Sequence, residues 1–155
     1  MAIAVDAMGG DSPLIVQIEA ALQAISELGI DVVLVGAEDQ IKEVLKQHSF
    51  DQNKLRIANS TETVEMNDSP ATALRQKKNS SIKVAVNLLA TGEADAVVSA
   101  GNTGAAMATA KFVLKSVEGI ERPAIAIFYP GLLLMIERAE KTAQVAAISI
   151  TSTPL

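Results

Sequence analysis

Ile3-Ala4-Val5-Asp6-Ala7-Met8-Gly9-Gly10-Asp11-Ser12-Pro13 opens the chain with three apolar residues, an acid, a glycine pair and a proline suited to the first turn of a helix. The stretch reads as strand, loop and helix start, and the residues after it repeat that order. Leu14, Ile15, Ile18, Ala21, Leu22, Ile25 and Leu28 recur at helical spacing until Gly29 stops the pattern. A continuous apolar run over 32–35, closed by Gly36, predicts a second strand. Ile41, Val44 and Leu45 predict a second helix that starts near Glu38 with acids in its first turn. A third strand is expected over 55–58, followed by a polar stretch over 59–69 that is longer than the usual connection.

Asp68-Ser69-Pro70 signals a short helix reaching Arg75. Ser80 or Ser81 can cap the next helix, whose buried face is Ile82, Ala85, Val86 and Leu89 up to Gly92. A fourth strand over 96–99 runs straight into Ala100-Gly101-Asn102-Thr103-Gly104, a fifth helix covers 105–114, and a fifth strand covers 124–128. Right-handed crossovers between such elements place helices on both faces of a mainly parallel sheet. The fold class is therefore α/β, a three-layer α/β/α sandwich.

Composition agrees with this. The chain has 155 residues, 49% of them hydrophobic but only 3% aromatic, so its core is built from Ala, Val, Ile and Leu, which suit a buried parallel sheet. A net charge of -5 and the lack of a basic stripe exclude nucleic-acid binding by charge. The absence of cysteine excludes disulfides, thiolate metal sites and a Cys nucleophile, and a single histidine excludes a two-histidine metal site. No metal and no cofactor are expected. An acid at position 6 comes too early for a signal peptide, and no stretch approaches about 18 uninterrupted apolar residues, so a cytoplasmic protein is expected.

Ligands of such sheets bind beyond the carboxyl ends of the strands, where two glycine-bearing loops are expected. In the first, Asp6 and Asp11 bracket Gly9 and Gly10. The carboxylates suit a metal or a ligand hydroxyl, and equally a plain turn with a helix cap. In the second, Gly101 and Gly104 clear space beside the Asn102 and Thr103 side chains at a helix N-terminus, where backbone N–H groups and about half a positive charge favour an anion such as phosphate. The alternative is a plain turn capped by Thr103. The loop matches neither G-x-x-x-x-G-K-[ST] nor G-x-G-x-x-G, which argues against a nucleoside triphosphate or a dinucleotide. Arg75, Lys77 and Lys78 before Asn79-Ser80-Ser81 form a cationic cluster for an anionic substrate or an acidic partner, or else a solvated surface. His48, at the end of an amphipathic helix, is read as a surface residue.

Four stretches in order, 3–11, 75–81, 99–105 and 119–124 (Gly119-Ile120-Glu121-Arg122-Pro123-Ala124), resemble the motif series of the PlsX family of phosphate acyltransferases. The resemblance implies transfer of a fatty acyl group from acyl carrier protein to inorganic phosphate, giving acyl phosphate for phospholipid synthesis. It also implies a homodimer, a fold similar to phosphotransacetylases and isopropylmalate dehydrogenases, and a peripheral association with the membrane. On that basis Asn102 and Thr103 are the expected catalytic residues. Asp6, Gly9, Gly10, Asp11, Arg75, Lys77, Lys78, Asn79, Ser99, Gly101 and Gly104 are the expected phosphate- or substrate-binding residues. The chemistry needs no Cys or His, because phosphate itself attacks the thioester and the protein has to orient the anion and stabilise the oxyanion.

The resemblance stops near Gly131. Residues 1–131 are expected to be the N-terminal part of such a domain, and 132–155 a divergent tail of the kind a frameshifted, degraded or mis-joined gene would give. Two rivals remain open: an inactive phosphate-binding fragment of that enzyme, and a nucleotide-binding α/β module built on the Gly9-Gly10 loop.

Overall fold

Strand β1 (Ala2–Asp6) is paired on both sides, with β2 (Asp31–Gly36) on one flank and β4 (Ala96–Ser99) on the other, and β3 (Leu55–Asn59) lies outside β2. The order β3-β2-β1-β4 is parallel throughout in this computed structural model, which describes residues 1–116, 118 and 119. The strand expected over 124–128, the tail over 132–155 and most of the 119–124 motif lie outside the described residues.

All but the first residue of β2 are buried, as expected of a central parallel strand covered on both faces. Alternation along the strands separates the two faces. Val32 and Leu34 pack with Ile18, Ala21 and Ile25 of α1 (Leu14–Leu28) and with Ile41 and Leu45 of α2 (Glu38–Leu45). Ala4, Val33 and Val35 turn the other way, onto Ala85 of α4 (Ser81–Thr91). Beyond that layer, α5 (Thr103–Leu114) packs on α4 and α3 (Pro70–Gln76) packs on α5, with Ala73, Ile82, Val86 and Ala105 in one apolar cluster. Helices thus cover both faces of a parallel sheet. Completely buried side chains such as Ile18, Leu34 and Ile41 each contribute about 1.5–3 kcal/mol by leaving water.

Helix ends follow the sequence closely. Gly29 and Gly92 take the left-handed conformation that closes α1 and α4, at φ 65 and φ 77. Ser69 caps α3, its Oγ accepting from the Thr72 N–H at 3.1 Å. Three cap expectations are corrected, the first being that of α4, where Ser80 occupies the cap position but makes no side-chain cap bond. Helix α5 starts at Thr103, two residues before the expected 105, and its cap is Asn102 rather than Thr103, because the Asn102 Oδ1 accepts from the Ala105 N–H at 3.0 Å. Pro13 occupies the cap position of α1 with no side-chain bond, so the carboxylates of the first loop do not cap that helix.

Strand pairing sets the position of the functional loops. Asp6 is in register with Val35 and with Ser99, and Gly36 with Asn59, so all four strands end on one rim. The 7–13, 59–69 and 100–102 connections leave from that rim.

Candidate functional site

The β1–α1 and β4–α5 loops press together backbone against backbone. A Cβ on Gly9 would lie 3.0 Å from the Gly101 N and 2.6 Å from the Asp6 Oδ2, and a Cβ on Gly101 would lie 3.1 Å from the Gly9 Cα. Gly10, at φ +91, passes the Ala100 carbonyl so closely that a Cβ would sit 2.7 Å from its oxygen. Gly104 packs against α3, where a Cβ would meet the Pro70 Cγ at 3.0 Å. The missing side chains that suggest room for a ligand are thus used first by neighbouring parts of the chain.

Asp6 lies beneath this junction, 3% exposed. The Ser99 hydroxyl donates to its Oδ2 at 2.8 Å and the Met8 N–H to its Oδ1 at 3.2 Å, while the Ser81 hydroxyl also bonds to the carboxylate. Burial raises its pKa above the ordinary 3.8, and the hydrogen bonds from Ser81, Ser99, Met8 and Gly9 oppose that rise. Ser99 is bound on both sides, since its Oγ also accepts from the Gly101 N–H at 3.1 Å. Asp11 is exposed.

Asn102 joins this junction to the 59–69 connection. Its Nδ2 donates to the carbonyls of Met66 at 3.0 Å and Asp68 at 2.9 Å, with a longer contact of 3.3 Å to that of Glu65. On the far side of the same turn, the Lys77 Nζ donates to the Thr63 carbonyl at 2.6 Å and to the Asp68 Oδ2 at 2.5 Å. Asp68 in turn accepts from the Glu65 N–H at 2.8 Å. The Lys77 ammonium, and after it the Glu65 N–H, hold the Asp68 carboxyl below the usual aspartate range. Asn79 completes the strap, its N–H donating to the Glu62 carboxylate at 2.7 Å and its Nδ2 to the Thr61 hydroxyl at 2.8 Å.

Apart from Gly104, which packs on Pro70 of α3, the expected site residues fall into three groups. Asp6, Gly9, Gly10, Ser99 and Gly101 meet in the loop junction. Asn102 ties the 61–68 strap to the start of α5, and Lys77 and Asn79 tie it to the connection between α3 and α4. Thr103, Arg75, Lys78 and Asp11 are exposed. Ser81 and the 65–68 turn belong to the arrangement without having been expected there. Ser81 follows from the sequence only as a cap for α4, although its hydroxyl serves Asp6. Asp68 is legible only as part of a helix start, although its side chain binds Lys77.

The end of α5 keeps donors to spare. The first N–H groups of a helix lack acceptors within it. The Ala105 N–H is taken by Asn102, while those of exposed Thr103 and half-buried Gly104 have no acceptor among the described residues. The helix dipole adds partial positive charge there. Among the described residues no group of three or more His, Asp or Glu side chains is placed to hold a metal ion. His48 lines an open groove of about 780 Å³ between α2 and β3, together with Lys42, Leu45 and Phe50.

The family described as fatty acid synthesis protein matches residues 1–141. A phosphate acyltransferase of Trichlorobacter lovleyi is 46% identical over 132 residues, covering 85% of this chain and 38% of that protein. One of Geobacter sulfurreducens is 48% identical over 132 residues, with the same coverage, and one of Dictyoglomus thermophilum is 46% identical over 132 residues, 39% of its length. The chain thus spans less than half of the relatives it matches.

Proposed function

The chain belongs to the fatty acid synthesis protein family, and from that premise we propose that it supplies the phosphate-holding part of an acyltransferase that moves a fatty acyl group from acyl carrier protein to inorganic phosphate. The observation that carries this is the end of α5, where the Thr103 and Gly104 N–H groups stand at a helix N-terminus capped from outside by Asn102. A phosphate oxygen held there attacks the thioester carbonyl carbon. The new C–O bond forms, the C–S bond breaks, and the pantetheine sulfur leaves as thiolate and takes up a proton. The protein contributes orientation and charge stabilisation rather than a nucleophile.

In this proposal Asn102 acts by fixing the cradle, since both ends of its amide are engaged. Thr103 offers its hydroxyl and N–H to the anion, and exposed Arg75 and Lys78 add positive charge for phosphate or for the acidic carrier protein. Residues 1–131 form the acyltransferase portion and 132–155 the divergent tail. Pairing of two copies and contact with a membrane surface belong to the same proposal. No helix among the described residues is long and apolar enough to cross a membrane.

Inorganic phosphate titrated into the isotopically labelled chain tests the cradle. The expected result is a saturable shift of the Thr103 and Gly104 amides that sodium chloride at equal ionic strength does not reproduce. An equal response to chloride overturns the proposal. Acyl phosphate formed from acyl carrier protein thioester and phosphate tests the reaction. Phosphate binding without product reduces the chain to a binding piece of the enzyme.

A further inference from the structure

Two of the polar groups at the junction are poorly suited to touching an anion. The Ser99 hydroxyl has one proton, and that proton is directed to the Asp6 Oδ2 at 2.8 Å, so its oxygen offers only acceptor lone pairs. One of these already takes the Gly101 N–H at 3.1 Å. The Asp6 side chain is itself an acceptor or an acid, 3% exposed, with the Gly9 backbone lying over it and Ser81 on another side. A phosphate approaching either group would meet oxygen lone pairs rather than donors.

We propose that Asp6 and Ser99 are positioning residues for the phosphate cradle: Asp6 orients the Ser99 hydroxyl, Ser99 fixes the Gly101 N–H, and Gly101 sets where the end of α5 points. The chain of contacts is continuous and short. It runs Asp6 Oδ2 to Ser99 Oγ to Gly101 N, then through one peptide to Asn102, whose Oδ1 and carbonyl take the N–H groups of Ala105 and Ala106 at 3.0 Å and 2.9 Å. Strand pairing makes it rigid, because Asp6 and Ser99 are register partners in adjacent strands. The Thr103 and Gly104 donors follow directly, so an error at Ser99 is carried into the site that would receive the anion. This inference deepens the proposed function and rests on it for phosphate, but not for the geometry of the loop.

The test is an amide spectrum of the whole chain with and without inorganic phosphate, for the wild type and for Ser99→Ala, Ser99→Thr and Asp6→Asn. Ser99→Ala removes one heavy atom from a half-buried position at the end of β4 and is expected to fold. Its Gly101 amide should move to the position of an amide lacking a strong acceptor, and its phosphate affinity should fall about tenfold. Ser99→Thr keeps the hydroxyl and should restore both. Asp6→Asn should shift the Gly101 amide in the same direction as Ser99→Ala, because an amide oxygen kept on the Met8 N–H turns the NH2 group onto the Ser99 Oγ and takes away the acceptor that orients the Ser99 proton.

If Asp6→Asn fails to fold, the serine pair still decides. An unchanged Gly101 amide and unchanged phosphate affinity in Ser99→Ala overturn the inference, as does failure of Ser99→Thr to restore them. If phosphate shifts no amide in the wild type while Gly101 still responds to Ser99→Ala and recovers in Ser99→Thr, the positioning chain stands and the phosphate reading falls. If phosphate binds the wild type and Ser99→Ala equally, the positioning chain falls alone.

Discussion

Two loop regions leave the same rim of the sheet and are held by opposite means. The junction of 7–13 with 100–102 is closed by what is missing, since Gly9, Gly10 and Gly101 let two backbones touch over a buried acid. The 61–68 strap is closed by what is present, the polar side chains of Lys77, Asn79 and Asn102 reaching its carbonyls, the Asp68 carboxylate and the Thr61 hydroxyl. A junction without side chains has no room to adjust, whereas a strap tied by several side chains can lose them one at a time. The largest predicted effect follows at the junction. Gly10→Ala puts a Cβ 2.7 Å from the Ala100 oxygen at a φ of +91, and is expected to cost about 3 kcal/mol of unfolding free energy in a urea titration. A loss under about 1 kcal/mol would mean that the two loops separate easily, and the contrast with the strap would disappear.

Asn102→Ala should come next, because it is the one residue that belongs to both regions. It removes a helix cap and the donors to the Met66 and Asp68 carbonyls, an expected loss of about 2 kcal/mol. It should also speed amide exchange at Ala105, whose N–H loses its acceptor, while leaving Gly101 protected by Ser99. Equal exchange at both positions would show that the junction and the strap open as one unit.

The sequence carries the fold further than it carries this contrast. Strand ends, helix faces and the closing glycines Gly29 and Gly92 are local properties, set by apolar spacing and by residues a few positions apart. Asn102 donates to carbonyls 34 to 37 residues earlier, and Ser99 to an acid 93 residues away. No periodicity in the sequence reports such pairs, because they depend on which strands become neighbours. Gly101 and Gly104 show the same limit. Their lack of side chains is plain in the sequence, but whether a ligand or another stretch of chain uses the space is decided only when β1 pairs with β4 and α3 packs on α5. The carboxylates Asp6 and Asp68 look alike in the sequence, and only burial for one and an ammonium for the other separate them.

That separation predicts opposite responses to acid. Asp68 has a lowered pKa in the folded chain, so its contribution is present above the ordinary value of 3.8 and is lost as pH falls through the lower folded value. Asp6 has a raised pKa, so its contribution is full below 3.8 and is lost as pH rises through the folded value. Acid should therefore loosen the strap while relieving the junction. Urea midpoints measured from pH 7 down to about 2 should show Asp68→Asn removing part of the acid-side loss of stability. An identical pH profile for Asp68→Asn and the wild type would mean that Lys77 holds the strap through the Thr63 carbonyl alone.

Thr103 should give the smallest effect on stability, and it separates structure from binding most cleanly. It is exposed and makes no cap bond, that role belonging to Asn102. Thr103→Val should therefore leave the unfolding free energy within about 0.5 kcal/mol of the wild type. Its N–H remains but its hydroxyl is gone, so phosphate should bind less tightly through one donor fewer, by roughly three- to tenfold. Both results together would place Thr103 on the anion side of the comparison, apart from the junction and the strap that hold α5 in place. A large loss of stability would return Thr103 to the framework, and unchanged phosphate affinity would leave the backbone donors as the whole of the cradle.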